Sequence, residues 1–243
     1  MPAAVPSGAA AYCSRWTMCA RFTLSDPQRL AERYPGYRAK ARFLPRFNIA
    51  PTQDVLALRA GDGDELTTLR WGLVPNWADD PAIGQRLINA RVETLAERRA
   101  FREALPAQRC AIFADGFFEW SGDKGHRQPY RIVVDGGAPF AFAGLYDRWE
   151  AAENPLETCT IVTCPANELL APLHDRMPAI LTGEAIQTWL HGSVDEALAL
   201  CVPFDPARMA IYPVTPEMNH HAFDDPRAIE PIAPLPTPLG LFD

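Results

Sequence analysis

The chain has 243 residues, 48% of them hydrophobic, and a formal net charge of −7, enough apolar material for a full core in one domain or at most two. No apolar run approaches the length that crosses a bilayer, which argues against a membrane span. The six cysteines (13, 19, 110, 159, 164, 201) form no Cys-x-x-Cys pair, and the histidines are not set around them at ligand spacing, which argues against a disulfide scaffold and against zinc.

The net charge hides an asymmetry. Residues 1–150 hold 20 Lys+Arg against 17 Asp+Glu, residues 151–243 hold 3 against 13, and 21 of the 23 basic residues are arginine. Arginine's planar fork suits bidentate phosphate contact, so the amino-terminal part permits a local phosphate groove while the average charge argues against strong duplex binding. Solvated arginines scattered over an arginine-biased surface would give the same count.

Residues 1–17 carry one charge, Arg15, with no basic region ahead of an apolar run. They read as an extension that is either disordered or not part of the mature protein, rather than as a secretory signal. Met18-Cys19-Ala20-Arg21-Phe22 follows. Were translation to begin at Met18, trimming of the methionine would leave Cys19 with a free α-amine beside its thiol. Such a 1,2-aminothiol condenses with an aldehyde to an imine, which the thiolate closes into a thiazolidine. A cysteine within a chain has only an amide nitrogen and does not react this way. The plainer reading of Cys19 is a small buried hydrophobe.

A helix is predicted over Asp26–Tyr34, then an extended segment, Arg46-Phe47-Asn48-Ile49-Ala50-Pro51-Thr52-Gln53, in which Pro51 forbids a helix. Strands are predicted at Val55–Arg59 and Leu66–Val74, joined as a hairpin through Gly61-Asp62-Gly63-Asp64. The second leads into Trp71-Gly72-Leu73-Val74-Pro75-Asn76-Trp77-Ala78, whose tryptophans are either core anchors or an exposed platform on which an unpaired base stacks.

Asn89-Ala90-Arg91-Val92-Glu93-Thr94 opens a predicted helix over Val92–Ala104; Asn89 is placed to cap it and Arg91 to meet an anion near its start. Further strands are predicted at Arg109–Phe113, Phe117–Trp120, Tyr130–Val134, Phe140–Leu145 and Thr158–Thr163, with Asp135-Gly136-Gly137 as a second hairpin turn. Alternation in Gly116-Phe117-Phe118-Glu119-Trp120 sends Glu119 to the face opposite Phe118 and Trp120, where it either pairs with an arginine or does acid–base work.

Short helices are predicted over Ala166–Pro172, Gly183–Trp189 and Val194–Leu200. Leu173-His174-Asp175-Arg176-Met177-Pro178 follows the first of them, and His174 alone among the histidines sits in a compact polar run suited to proton transfer. His126, His191, His220 and His221 read as turn, helix-end or loop residues, and residues 232–243 as an extended Pro-rich tail. The pattern is that of an α+β domain with a curled, largely antiparallel, barrel-like sheet and flanking short helices.

Taken in order, these six segments resemble the SOS-response-associated peptidase family of abasic-site DNA–protein crosslinking proteins. The resemblance runs from Met18 to about Pro231 and rests on Met-Cys-x-Arg-Phe, Asn-x-Ala-Pro-Thr, Trp-Gly-Leu-x-Pro-x-Trp, Asn-Ala-Arg-x-Glu-Thr, Gly-Phe-x-Glu-Trp and His-x-Arg-Met-Pro. Pro213-Val214-Thr215 and Met218-Asn219 are similar to the family's closing segment; Ala20 departs from it, standing where the family has glycine.

The resemblance implies a single domain over 18–231 that recognises abasic sites in single-stranded DNA and traps the sugar aldehyde on an amino-terminal Cys19. Glu119 would manage protons at the amine, His174 would assist sugar-ring opening, and Asn89 would hold the linked sugar. Arg21 and Arg91 would contact phosphates, while Phe22, Pro51, Trp71, Pro75, Trp77 and Trp120 would form an apolar wedge against the bases. It also implies a peptidase-type self-removal of residues ahead of the cysteine, a lyase-type activity, and a monomer of the cytoplasm, associated with the nucleoid when on DNA, without metal, cofactor or membrane. Two other readings remain at this stage: a cysteine hydrolase using Cys19 and His174, with Glu119 or Asn89 as orienting group, and a non-covalent single-strand binder.

Overall fold

The structure, a computed structural model, describes residues 20–39, 43–122, 127–150 and 154–232. The expected extension, most of the tail, Cys19 and His126 lie outside the described residues. The first strands are β1 (Phe22–Leu24), β2 (Arg38–Ala39), β3 (Arg46–Ile49), β4 (Asp54–Arg59), β5 (Glu65–Trp71) and β6 (Asn89–Arg91). Then come β7 (Arg109–Ala114), β8 (Gly116–Ser121), β9 (Gln128–Val134), β10 (Phe140–Trp149) and β11 (Leu156–Pro165). The last are β12 (Arg176–Pro178), β13 (Ile180–Leu181) and β14 (Met209–Pro213). Helices α1 (Pro27–Arg33), α2 (Arg99–Arg102), α3 (Ala185–His191) and α4 (Val194–Ala199) flank them.

β4, β5, β7, β10 and β11 form a ring, antiparallel except where β11 closes onto β5 in parallel through Thr158↔Arg70 and Cys159↔Trp71. Every residue of β7, between β4 and β10, is buried, which accounts for its unbroken apolar run. Across the ring Gly144 admits no side chain, since a Cβ there would lie 2.9 Å from Cys110 Sγ and from Thr160 O. A second sheet runs β14-β9-β8-β1-β3. Its strand β8 is buried on both faces: Phe117 joins the main core, whereas Phe118 and Trp120 pack with Val214, Met218 and Ala228 of the carboxy-terminal segment. The fold is thus α+β, with few and short helices.

A buried ion pair fixes β1 in that sheet. Asp115 accepts from Thr23 Oγ1 at 2.5 Å, Ser25 Oγ at 2.7 Å and the Asp26 amide at 3.1 Å, and Arg131 Nη2 donates to it at 3.1 Å. The carboxylate is thereby satisfied on both oxygens, the condition under which a buried charge is tolerated.

Several elements depart from the sequence expectation, each for a local reason. Asp135-Gly136-Gly137 makes no hairpin: β9 and β10 belong to different sheets, and three successive positive φ angles (48°, 67° and 82°) swing the chain from one to the other. The strand expected to reach Val74 stops at Trp71, because Gly72 takes φ 123° and passes within 2.7 Å, counted to an ideal Cβ, of the Gly84 carbonyl oxygen. The helix expected over 92–104 divides into a 3-10 turn, Val92–Thr94, and α2, since Leu95 and Phe101, both buried, sit six apart and do not share a helical face. Residues 166–172 form turns in place of a helix, closed by Asn167 Oδ1 on the Leu170 amide. Among the described residues no helix is long and apolar enough to cross a membrane.

Candidate functional site

The amino-terminal end of β1 is where four of the six sequence motifs meet, those around Arg21, Asn48, Trp71 and Glu119. β1 lies between β8 and β3, with Phe22 opposite Phe117 on one side and Ile49 on the other. The Phe118 amide donates to Arg21 O at 3.0 Å, so the same register carries Ala20 opposite Glu119 on β8 and toward the Ala50–Pro51 turn after β3. Glu119 is buried, at 4% exposure, and Ala20 is half-buried. Cys19, one peptide bond ahead of Ala20, lies outside the described residues.

Phe22 and Trp71 are not part of a wedge. Both are fully buried, their rings 5.1 Å apart, and the Trp71 indole N–H donates to Ile88 O at 2.9 Å. Neither ring can reach a base. Together they instead join the start of β1 to the residue preceding Asn89. Pro75 is also buried and is likewise withdrawn from the wedge. The remaining aromatic candidates are half-buried: Trp77 carries the Arg99 guanidinium 4.1 Å over its ring, and Trp120 donates its indole N–H to Asn219 Oδ1 at 2.6 Å. Pro51 is half-buried at the apex of its turn.

Asn89 and Arg91 stand on β6, which pairs in parallel with β11 so that Asn89 meets Ile161 and Arg91 meets Thr163. β12 pairs with the same end of β11, setting Pro178 opposite Thr163 and Arg176 opposite Pro165. One side chain bolts the two short strands together. Arg176 donates in bidentate fashion to Glu93, at 2.9 Å for each oxygen, and also to Thr163 O at 2.7 Å. The hydrogen bond from Arg176 holds the Glu93 carboxyl below its usual range, with the Arg176 and Arg91 charges adding to it. Arg91 itself is exposed.

His174, half-buried, is oriented by its neighbours. The Arg176 amide donates to His174 Nδ1 at 3.1 Å, and Asp175 Oδ1 lies 2.9 Å from the same nitrogen. The two contacts suit different protonation states. A neutral ring that accepts from Arg176 carries its proton on Nε2, whereas an imidazolium donates from Nδ1 to Asp175.

Arg21 serves the structure as much as any ligand. Its guanidinium donates to Asn48 Oδ1 at 2.9 Å, Met218 O at 3.1 Å and Asn219 O at 3.3 Å, and burial lowers its pKa. Asn48, fully buried, donates in turn to Met218 O and Phe223 O, both at 2.9 Å. Sequence reasoning passed over Asn48, Glu93 and Asn219 as site-building residues. Their signal was present, since all three stand inside the quoted motifs, but nothing in a linear pattern says which motif residues hold other motifs in place.

The profile of the family described as SOS response associated peptidase (SRAP) matches residues 18–221. The abasic site processing protein YoqW of Bacillus subtilis (strain 168) is 41% identical over 222 residues, covering 88% of this chain and 99% of that protein. The abasic site processing protein HMCES of Gallus gallus is 33% identical over 235 residues, covering 82% of this chain and 69% of that one. A crystal structure of a protein from Bacteroides thetaiotaomicron superposes with a TM-score of 0.81 at 28% identity, covering 88% of this chain and 100% of that one.

Proposed function

This chain belongs to the SOS response associated peptidase family, and from that premise we propose that it processes abasic sites in DNA, trapping the opened sugar of a single strand covalently on Cys19. The observation that carries this reading is the register of β1 against β8, Phe22 opposite Phe117 with the Phe118 amide on Arg21 O; continued by one residue, it runs the chain toward the buried Glu119 at Ala20, one peptide from the cysteine.

An abasic deoxyribose opens by breaking its C1′–O4′ bond, which needs a proton at O4′. As an imidazolium, its Nδ1–H on Asp175 Oδ1 at 2.9 Å, His174 donates its Nε2 proton to O4′ while the C1′ hydroxyl releases its own to water, which leaves a neutral ring and the open aldehyde. The Cys19 α-amine, with an ordinary pKa of about 7.7–8.0, then attacks the aldehyde carbon. Glu119 takes a proton from the ammonium and returns one to the departing hydroxyl, so that one water leaves and an imine forms. The thiolate adds to the imine carbon while the nitrogen takes up a proton, closing the thiazolidine. Asn89 holds the linked sugar. Arg91 contacts a flanking phosphate, joined by the unspent N–H groups of Arg21, and Pro51, Trp77 and Trp120 border the path of the bases.

The test uses protein whose intact mass places Cys19 first, mixed with single-stranded DNA carrying an abasic site. A heat-stable adduct is expected, absent from Cys19→Ala and from protein with an acetylated amine. No adduct from the mass-verified protein overturns the reading. The 2.9 Å approach of Asp175 to His174 Nδ1 favours a second one, a cysteine hydrolase in which His174 is the base. That activity would survive acetylation. Self-removal of the residues before Cys19 would appear as a mass loss ending at Met18, suppressed in Cys19→Ala.

A further inference from the structure

Residues 50–53 form a turn whose strain has a visible use. Gln53 N–H closes it on Ala50 O at 3.3 Å, Pro51 takes the second position, and Thr52 takes the third with φ 71°. That third position of a type II turn calls for glycine, and a β-branched residue there is strained. The turn is locked to β5 from both sides: Thr52 N–H donates to Trp71 O at 2.8 Å, and Trp71 N–H donates to Gln53 O at 2.9 Å.

The Thr52 carbonyl oxygen, fixed by this strain, accepts Arg70 Nε–H at 3.0 Å. Arg70 is exposed, so both terminal nitrogens of its fork face solvent from an anchored base. Among the described residues no carboxylate forms an ion pair with it. It lines an open groove of about 520 Å³ with Arg46, Thr52, Gln53, Asp54 and Leu156. Arg46 is balanced, donating to Asp224 and to Gln53 Oε1 at 2.6 Å each. Asp54 stands opposite Arg70 across the β4–β5 ladder, so the groove suits a singly charged anion better than a dianion. The turn that anchors Arg70 directly follows Ile49, which the β1–β3 register sets opposite Phe22.

We propose that Arg70, held through Nε by the Thr52 carbonyl, binds a phosphodiester of the DNA strand on the Pro51 side of the captured sugar. This rests on the reading above that a single strand is the substrate. The contact is charge-assisted and independent of base identity.

The experiment measures binding of an undamaged single-stranded oligonucleotide across a salt series, using the full chain and its Arg70→Gln, Arg70→Lys and Arg33→Gln variants. Arg70→Gln is expected to weaken binding roughly five- to tenfold at low salt and to reduce the slope of log K against log salt by about 0.7. Arg70→Lys is expected to keep the slope while losing affinity, since lysine has no Nε donor for Thr52. Arg33→Gln removes the same charge from α1 and is expected to leave the slope unchanged. An unaltered slope in Arg70→Gln, or an equal change in Arg33→Gln, overturns the proposal. Absence of an adduct with abasic DNA is read on a separate assay and bears only on the function proposed above.

Discussion

The indole N–H of Trp71 bonds the carbonyl oxygen of Ile88 at 2.9 Å, on the residue immediately before Asn89. The family resemblance implies a base-stacking role for this tryptophan, while the residues alone also allow a core anchor. Its actual place, edge-bonded to β6 and packed on Phe22, makes it the mortar between two halves of the site. Trp71→Phe keeps most of the apolar volume but removes one of two donors to the Ile88 carbonyl, which still accepts from the Ile161 amide at 3.0 Å. A loss of about 0.5–1.5 kcal/mol is expected, read as a lower urea midpoint at unchanged m-value. Adduct formation by the Cys19-first protein is expected to slow as well.

Arg176 and Glu93 form the second joint. The Arg176 side chain is 12% exposed and Glu93 48%, so the arginine is the costlier member to lose. Arg176→Lys gives up the bidentate geometry and the Thr163 carbonyl contact together, with an expected cost of about 1–3 kcal/mol. Glu93→Gln is expected to cost under about 1 kcal/mol, because half of that carboxylate is already in water.

The same pair sets a pH dependence. Glu93's folded pKa is depressed, so its stabilising contribution is present above the ordinary glutamate value of about 4.3 and disappears as pH falls through the lower folded value. Asp135, lowered by the hydrogen bond from Arg208, behaves alike through the ordinary aspartate value of about 3.9. Stability measured from pH 6 to pH 2 is expected to fall in the acid limb, and to fall less steeply in Glu93→Gln. An identical acid limb in that variant would show the pair to be inert.

Thr52 makes the opposite prediction. Thr52→Gly relieves a left-handed β-branched residue, worth about 1–2 kcal/mol, against an entropic cost of about 0.5–1 kcal/mol for the glycine. A small net gain in melting temperature is expected. A decrease would mean the threonine side chain contributes contacts that outweigh its backbone cost.

Thiol chemistry separates Cys19 from the other cysteines. Cys110, Cys159, Cys164 and Cys201 are buried, and desolvation pushes their thiols up, Cys164 to about 11 and Cys201 to about 12. At neutral pH none of the four offers an accessible thiolate. Brief alkylation of native Cys19-first protein is therefore expected to add one label, and Cys19→Ala none. Fast labelling that persists in Cys19→Ala would contradict the burial of the other four.

Much of the fold could be read from the chain because its long strands, such as β7 and β10, are apolar runs bounded by glycine, proline or aspartate. The strands that build the site were harder. β6, β12 and β13 span only two or three residues and exist because β10 and β11 offer partners from far along the chain. Alternation in β8 correctly divided Glu119 from Phe118 and Trp120, since a sheet with two packed faces obeys a period of two. No such rule separates Trp71 from Trp77. The first is enclosed and the second half-exposed because the strand ends between them at Gly72, a consequence of the close approach of Gly84.

Arg21 is tied through its side chain to the backbone of Met218 and Asn219. The reactive residue proposed here therefore hangs from a fixed root only two positions along, a leash of at most about 7 Å. Carbonyls from the far end of the sequence hold that root, so an insertion or tag near residues 218–224 would be felt first at the opposite end, as a change in how often the nucleophile meets its target.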